Sequence, residues 1–240
     1  MISNRYVTAI LLAAGEGQRA TNGPDERSTP KQFLELAGEP LLMHPLRCLD
    51  SHPLIDAVVV VLPAARDLSI DHLIALPKVC SVTDGGDTRQ ASLGVGLICI
   101  PDETAIVVVH DAARPLLQPK HLDATLEALD GSCEGAMCAL PLDDAIKEVS
   151  QDRLLLRSLP RTGVWRAQTP QAFEREPLEE SLVAADASGV VAEDCSDLLL
   201  RSGFRVRVVD GDSSNLKVTF ARDLVLAESL LRARAEARNL

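Results

Sequence analysis

From Ala13 to Lys31 the chain reads AAGEGQRATNGPDERSTPK, and these residue types suit a polyphosphate. Ala13, Ala14, Gly15 and Gly17 carry little or no side chain, so backbone N–H groups there can approach an anion closely. Arg19 follows, and Lys31 comes later behind Pro30, which sets two cations near that backbone. No Gly-Lys-Ser/Thr closes the loop, so it is not a Walker A loop. Gly15, Gly17 and Ala20 do match the looser dinucleotide pattern G-x-G-x-x-A. That pattern expects a helix at the glycines and an acid ending the second strand about 20 residues on. Here 21–29 is polar and broken by Pro24, and the next acid in range, Glu35, lies in KQFLEL rather than at a strand end. Taken alone, the loop also fits a plain strand-to-helix turn with no ligand.

Two further segments carry the same residue types. Asp84–Ser92 (DGGDTRQAS) pairs glycines with Asp87 and Arg89, and His110–Pro115 (HDAARP) sets Asp111 and Arg114 beside two alanines. His110, the one histidine in these loops, is expected to support its loop and not to act in catalysis. Six cysteines are scattered, none as C-x-x-C and none near a histidine cluster, so no zinc site is expected. Most sit in apolar runs and are expected to be buried small hydrophobes.

These loops need elements to hold them. Val7–Leu12, Asp56–Leu62 and Ala105–Val109 are apolar, β-branched runs, as expected of strands covered on both faces. Lys78–Thr83 reads as a shorter strand. Helical spacing is seen in Pro40–Ser51, with Pro45 in the first turn, and in Leu68–Leu76, Gln90–Cys99 and His121–Leu129. Strands alternating with helices predict an α/β fold with a doubly wound, mostly parallel, Rossmann-like sheet. Ligands of such sheets sit at the carboxyl ends of strands, where the loops 13–19, 84–92 and 110–115 fall. Past residue 136, four short segments follow with no helix between them: Ala136–Pro141, Ala145–Val149, Leu154–Leu159 and Val164–Thr169. They predict a protruding β-arm over 141–170 within a single domain spanning 1–240. Glu174–Ala187 is expected as a helix, Phe204–Val209 and Leu216–Thr219 as strands, and Ala221–Ala237 as a closing amphipathic helix.

Composition narrows the partners. Of 240 residues 46% are hydrophobic but only 2% aromatic, so aliphatic side chains must fill the core. A net charge of −11 excludes nucleic acid as a partner of the whole surface. A small anionic substrate then needs local Lys and Arg against the global field. No apolar run approaches the length of a membrane span, and MISNRY has no apolar core of its own. A cytoplasmic, reduced setting is expected.

AAGEGQR (13–19), PKQFLELAGEPLLMH (30–44), DGGDTRQAS (84–92), VVHDAARPLL (108–117), DDAIK (143–147), WRAQTPQAF (165–173), AEDCSDLLLRSG (192–203) and NLKVT (215–219) occur in this order over nearly the whole chain. Together they resemble the 2-C-methyl-D-erythritol 4-phosphate cytidylyltransferases of the non-mevalonate isoprenoid pathway. The resemblance implies a nucleotidyltransferase that moves CMP from CTP to a sugar-alcohol phosphate and releases pyrophosphate, with Mg²⁺ as the divalent cation. It implies that Ala13, Ala14, Gly15 and Gly17 hold the triphosphate, and that Arg19 and Lys31 stabilise the transition state. Gly86, Asp87 and Ser92 would read the cytosine and ribose, with Arg89 beside the nucleotide. Asp111 would lie near metal and substrate, with Arg114 after it, and Lys217 near the reacting phosphates. Arg161 would be delivered by the arm to the acceptor phosphate, across a twofold homodimer.

Three departures stand out. Ala145 and Glu193 occupy positions where the family usually carries Thr, near the acceptor phosphate. They motivate a second reading, a cytidylyltransferase for another polyol phosphate such as ribitol 5-phosphate; the intact HDAARP favours the first. The segment between Arg19 and Lys31 is longer than usual, and a flap over CTP is expected there.

Overall fold

β1 (Tyr6–Leu12) is the strand around which the molecule is wound. The computed structural model describes residues 5–15, 30–64 and 71–238. After β1 come a short hairpin, β2 (Glu35–Leu36) and β3 (Glu39–Pro40), then α1 (Met43–Ser51), β4 (Ala57–Leu62), α2 (Asp71–Ile74) and β5 (Val79–Asp84). They are followed by α3 (Arg89–Ile98), β6 (Thr104–Asp111), α4 (Pro119–Glu127), β7 (Gly135–Pro141), β8 (Ile146–Val149), β9 (Leu155–Leu159) and β10 (Trp165–Glu174). The chain closes with α5 (Arg175–Ser188), α6 (Cys195–Arg201), β11 (Val206–Asp210) and α7 (Ala221–Arg238).

Seven strands form one sheet in the order β11-β7-β10-β6-β1-β4-β5. Every neighbouring pair is parallel except the two made by β10, which is antiparallel to β6 and to β7. Because side chains alternate along a strand, each strand feeds two cores. Ala9, Leu11, Val58, Val60 and Val108 pack with Leu46 and Leu49 of α1 and Leu122 and Leu126 of α4. Ile10, Val59, Val61, Val107 and Val109 pack with Leu93 of α3, Leu178 of α5 and Leu198 of α6. All six residues of β4 are buried, which is why its sequence is an unbroken apolar run. A buried Val or Leu stabilises the fold by roughly 1.5–3 kcal/mol before the entropy of ordering it.

A third, smaller cluster joins Leu36, Leu41, Leu116, Val218 and Ala227 beside the sheet. It draws the β2–β3 hairpin, the segment after β6 and the approach to α7 together.

Several expectations differ from the structure. The segment 141–170 is not one excursion, since β10 pairs Trp165 with Pro141 and Arg166 with Leu140 inside the main sheet. Only β8 and β9 form a separate two-stranded sheet. Leu216–Thr219 is not a strand: Val218 N–H donates to Ala113 O at 2.8 Å and no ladder follows. Pro40 belongs to β3, so α1 starts at Met43 with Pro45 in its first turn. α6 was not anticipated as a helix; Asp194 caps it by accepting from Asp197 N–H at 3.0 Å. α7 lacks a clean apolar stripe, with Val225 and Leu226 exposed. The expected flap falls on residues outside the described ones.

Candidate active site

Three backbone hydrogen bonds gather the carboxyl ends of the parallel strands. Ala13 N–H donates to Val61 O (2.8 Å), Ala112 N–H to Leu12 O (2.9 Å) and Gly85 N–H to Leu62 O (2.7 Å). Side chains are excluded where these segments meet. A Cβ on Gly85 would lie 2.4 Å from Ala14 Cβ and 2.7 Å from Ser92 Oγ, and one on Gly86 would lie 2.6 Å from Ala91 Cβ. The segment then turns into α3, where Thr88 Oγ1 accepts from Ala91 N–H at 3.0 Å and Arg89 is the first helical residue.

β6 ends on Asp111, only 8% exposed. Its Oδ1 accepts from Arg89 Nε (3.3 Å) and Nη2 (3.2 Å), and its Oδ2 from Lys217 Nζ (2.7 Å). Burial alone would raise its pKa. The charges of Arg89 and Lys217 outweigh that and hold the carboxyl well below the usual carboxylate range, so Asp111 is an anion. Burial opposes the charge on Arg89 too, but the Asp111 anion beside it leaves its pKa raised. Arg89 Nη1 lies 3.3 Å from Cys195 Sγ, which is fully buried.

His110 supports this strand end. Burial pushes its pKa down to about 4, so the ring is neutral near pH 7. Nε2 lies 3.1 Å from Arg114 O, and Nδ1 3.1 Å from Thr169 Oγ1. Arg114 O can only accept, so the proton of the neutral ring is on Nε2 and Nδ1 accepts from Thr169 Oγ1, which itself accepts from Asp111 N–H at 3.1 Å. Both ring nitrogens are thus engaged in holding the segment.

The result is an open cleft of about 590 Å³. Ala13, Ala14, Gly15, Lys31, Gly86, Asp87, Arg89, Ser92, Asp111 and Lys217 all line it. Three cations face two acids there, the reverse of the net charge of the chain. Ser92 is 3% exposed and donates from Oγ to Gly86 O at 3.2 Å, so its hydroxyl braces the loop. Gly17 and Arg19 lie outside the described residues.

Arg114, Arg161 and Glu193 are not among the lining residues. Arg114 Nη1 donates to Asn215 O (2.8 Å) and its Nη2 to Ala167 O (3.2 Å), which ties β10 to the segment carrying Lys217. Arg161 is exposed and donates to Asp143 O. Glu193 is exposed, and its N–H donates to Asp197 Oδ2 at 3.1 Å. Sequence reasoning also passed over Gln32 and Thr169. Both are buried polar residues inside the quoted segments, and an amide amid apolar neighbours is the signal that could have marked Gln32.

No group of three or more His, Cys, Asp or Glu that could hold a metal occurs among the described residues. No helix among them is long and apolar enough to cross a membrane.

Residues 7–233 match the family model described as 2-C-methyl-D-erythritol 4-phosphate cytidylyltransferase. Among curated relatives, the protein of that name from Acidobacterium capsulatum is 38% identical and aligns over 95% of this chain and 98% of its own. The one from Syntrophus aciditrophicus is 37% identical, over 94% and 96%. Among solved structures, the 4-diphosphocytidyl-2C-methyl-D-erythritol synthase of Anaerococcus prevotii superposes with a TM-score of 0.80 at 25% identity, covering 96% of this chain and 98% of its own. The 2-C-methyl-D-erythritol 4-phosphate cytidylyltransferase of Thermus thermophilus superposes with a TM-score of 0.75 at 29% identity, covering 95% and 99%.

Proposed function

We infer that this chain, which belongs to the 2-C-methyl-D-erythritol 4-phosphate cytidylyltransferase family, transfers CMP from CTP to 2-C-methyl-D-erythritol 4-phosphate. The products are 4-diphosphocytidyl-2-C-methyl-D-erythritol and pyrophosphate. The observation that carries the reading is the convergence of the bare segment 13–15 with Lys31, Arg89, Asp111 and Lys217 in one cleft at the strand ends.

The chemistry matches that set. The nucleophile is a phosphate monoester oxygen, whose second pKa lies near 6, so it is ionised without a general base. What remains is to bring two polyanions together in line and to stabilise charge as the α-phosphoryl group moves. Lys31 and Lys217 supply positive charge at the cleft, and the backbone of 13–15 takes the triphosphate. By its place in the matched AAGEGQR motif, Arg19 is proposed to share this role. Gly86, Asp87 and Ser92 form the wall for cytosine and ribose. Asp111 orients Lys217 and Arg89.

A divalent cation fits this site. Mg²⁺ is commonly held by one or two carboxylates with substrate phosphates and water completing its shell, and Asp111 is an ionised carboxylate in the cleft. When bound, the cation would neutralise charge on the phosphates.

The acceptor side draws on a second copy. Leu154, Leu155 and Leu156 around the β8–β9 hairpin are more than half exposed, which supports a covering partner. Arg161, outside the cleft of its own chain, then serves the partner's acceptor phosphate in a twofold dimer, and Glu193 lies at the edge of the same subsite. The setting is the cytoplasm. Ribitol 5-phosphate is not favoured as acceptor, given the names of the relatives.

The test is pyrophosphate release from CTP against a panel of polyol phosphates. 2-C-methyl-D-erythritol 4-phosphate should give the highest kcat/KM. A higher value for ribitol 5-phosphate would overturn the acceptor, and no release with any acceptor would overturn the activity.

A further inference from the structure

We propose that Gln32 is the positioning residue that sets the backbone of the 13–15 segment for the triphosphate and couples that backbone to Lys31. This rests on the reading that the segment holds CTP. Gln32 is 2% exposed. Its Nε2 donates to Ala13 O at 2.6 Å and to Gly15 O at 2.9 Å, so both amide protons are spent on the one segment. Its own backbone O accepts from Leu42 N–H at 3.0 Å, which anchors it to the residue preceding α1.

The consequence follows from peptide planarity. In a trans peptide the N–H points opposite to the C=O of the preceding residue. Drawing Ala13 O toward Gln32 therefore turns Ala14 N–H away from that side chain, and Ala14, Gly15 and Gln32 itself all line the cleft. Without a donor at Gln32, the carbonyl of buried Ala13 and that of exposed Gly15 both lose this partner, and the peptides are free to rotate. A flipped peptide would offer a carbonyl to an incoming phosphate, which repels it. Gln32 also follows Lys31 directly, in a single 3₁₀ turn, Lys31–Phe33. Seating the loop on the Gln32 amide thus fixes where the Lys31 stem begins.

Gln32→Glu separates this from a packing role. An ionised Glu offers no donor and repels both carbonyls; a protonated one regains a single donor. Burial raises the pKa of such a carboxyl, so the donor returns as pH falls toward neutrality and below. We expect the ratio of kcat/KM for CTP, Gln32→Glu over wild type, to rise about tenfold or more from about pH 8.5 to about pH 6. Gln32→Met, similar in length without a donor, is measured in parallel. It should raise the KM for CTP about tenfold or more while leaving the acceptor KM within about twofold.

Either variant, once its melting transition shows a folded protein, decides alone. A flat ratio for Gln32→Glu, or a CTP KM for Gln32→Met no more changed than the acceptor KM, overturns the assignment while wild-type turnover keeps the functional reading intact. A wild type that releases no pyrophosphate overturns the functional reading, and the assignment with it.

Discussion

Asp111 sits between Arg89 and Lys217 with 8% of its surface exposed, whereas Leu154, Leu155 and Leu156 beside the β8–β9 hairpin are 64%, 63% and 59% exposed. The cleft at the ends of β1, β5 and β6 is assembled from residues of one chain, with its glycines, cap and carboxylate all engaged. The hairpin turns apolar side chains to solvent, and a two-stranded hairpin is at best marginally stable alone. The difference separates two tasks in one reaction. On the function proposed above, the nucleotide end would be finished when a single chain folds, and the acceptor end would be left for a second copy to complete.

Lys31→Ala tests the first half of that contrast most severely. Removing one preorganised charge at the transition state typically costs about 3–4 kcal/mol, so turnover should fall by about 10² or more, with a smaller loss of CTP affinity. Wild-type-like turnover in a steady-state assay would make Lys31 a bystander of the cleft.

The second half is tested by mixing. Arg161→Ala should be inactive on its own, as Lys31→Ala is. Co-refolded in equal amounts, the two give about half heterodimers, and each heterodimer holds one site with both residues intact by the reciprocity of a twofold interface. About a quarter of wild-type sites should return. Heterodimers shown by tagging to be inactive would place both residues in one subunit's site and remove the contrast.

A smaller effect concerns pH and stability. The folded pKa of His110, about 4, lies below its unfolded value near 6.5. In that interval the unfolded chain binds more protons, so stability rises with pH. The contribution is complete above about pH 6.5 and is lost as pH falls toward about 4, up to about 3 kcal/mol. His110→Gln should flatten the fall in melting temperature over this window, while Leu155→Ser on the hairpin should leave its slope unchanged. Equal slopes for wild type and His110→Gln would mean that the ring titrates normally.

Glu193→Thr should have the mildest consequence. An ionised carboxylate near the acceptor phosphate raises the acceptor KM by like-charge proximity. The substitution should lower that KM severalfold and leave the CTP KM nearly unchanged. An acceptor KM that does not move would show Glu193 facing away from the subsite.

The parts of the fold legible in the sequence are those fixed by burial on both faces. The apolar runs within Asp56–Leu62 and Ala105–Val109 read as inner strands because their β-branched side chains are fit for burial on both faces, and the glycines and Thr88 before α3 announce a tight entry into a helix. Chain order does not tell which sheet a short strand joins. The antiparallel return of β10 between β6 and β7 was therefore read as part of an arm. The bracing contacts of Arg114 are hidden for a related reason, since its partners, Ala167 O and Asn215 O, are backbone atoms far along the chain. Asp111, Arg89 and Lys217 could be marked as charged residues in quoted motifs, but their mutual contacts exist only once β6, α3 and the last loop have met.

The small cluster of Leu36, Leu41, Leu116, Val218 and Ala227 stands apart from the two larger cores, yet Val218 is the next residue after Lys217 and Leu36 closes the strand that follows the Lys31 turn. It works as a hinge pin between two levers. Each lever carries one lysine to the same cleft, and the buried contacts of the pin set their spacing. On the function proposed above, a methyl group shaved from the pin would loosen the placement of both lysines against the nucleotide.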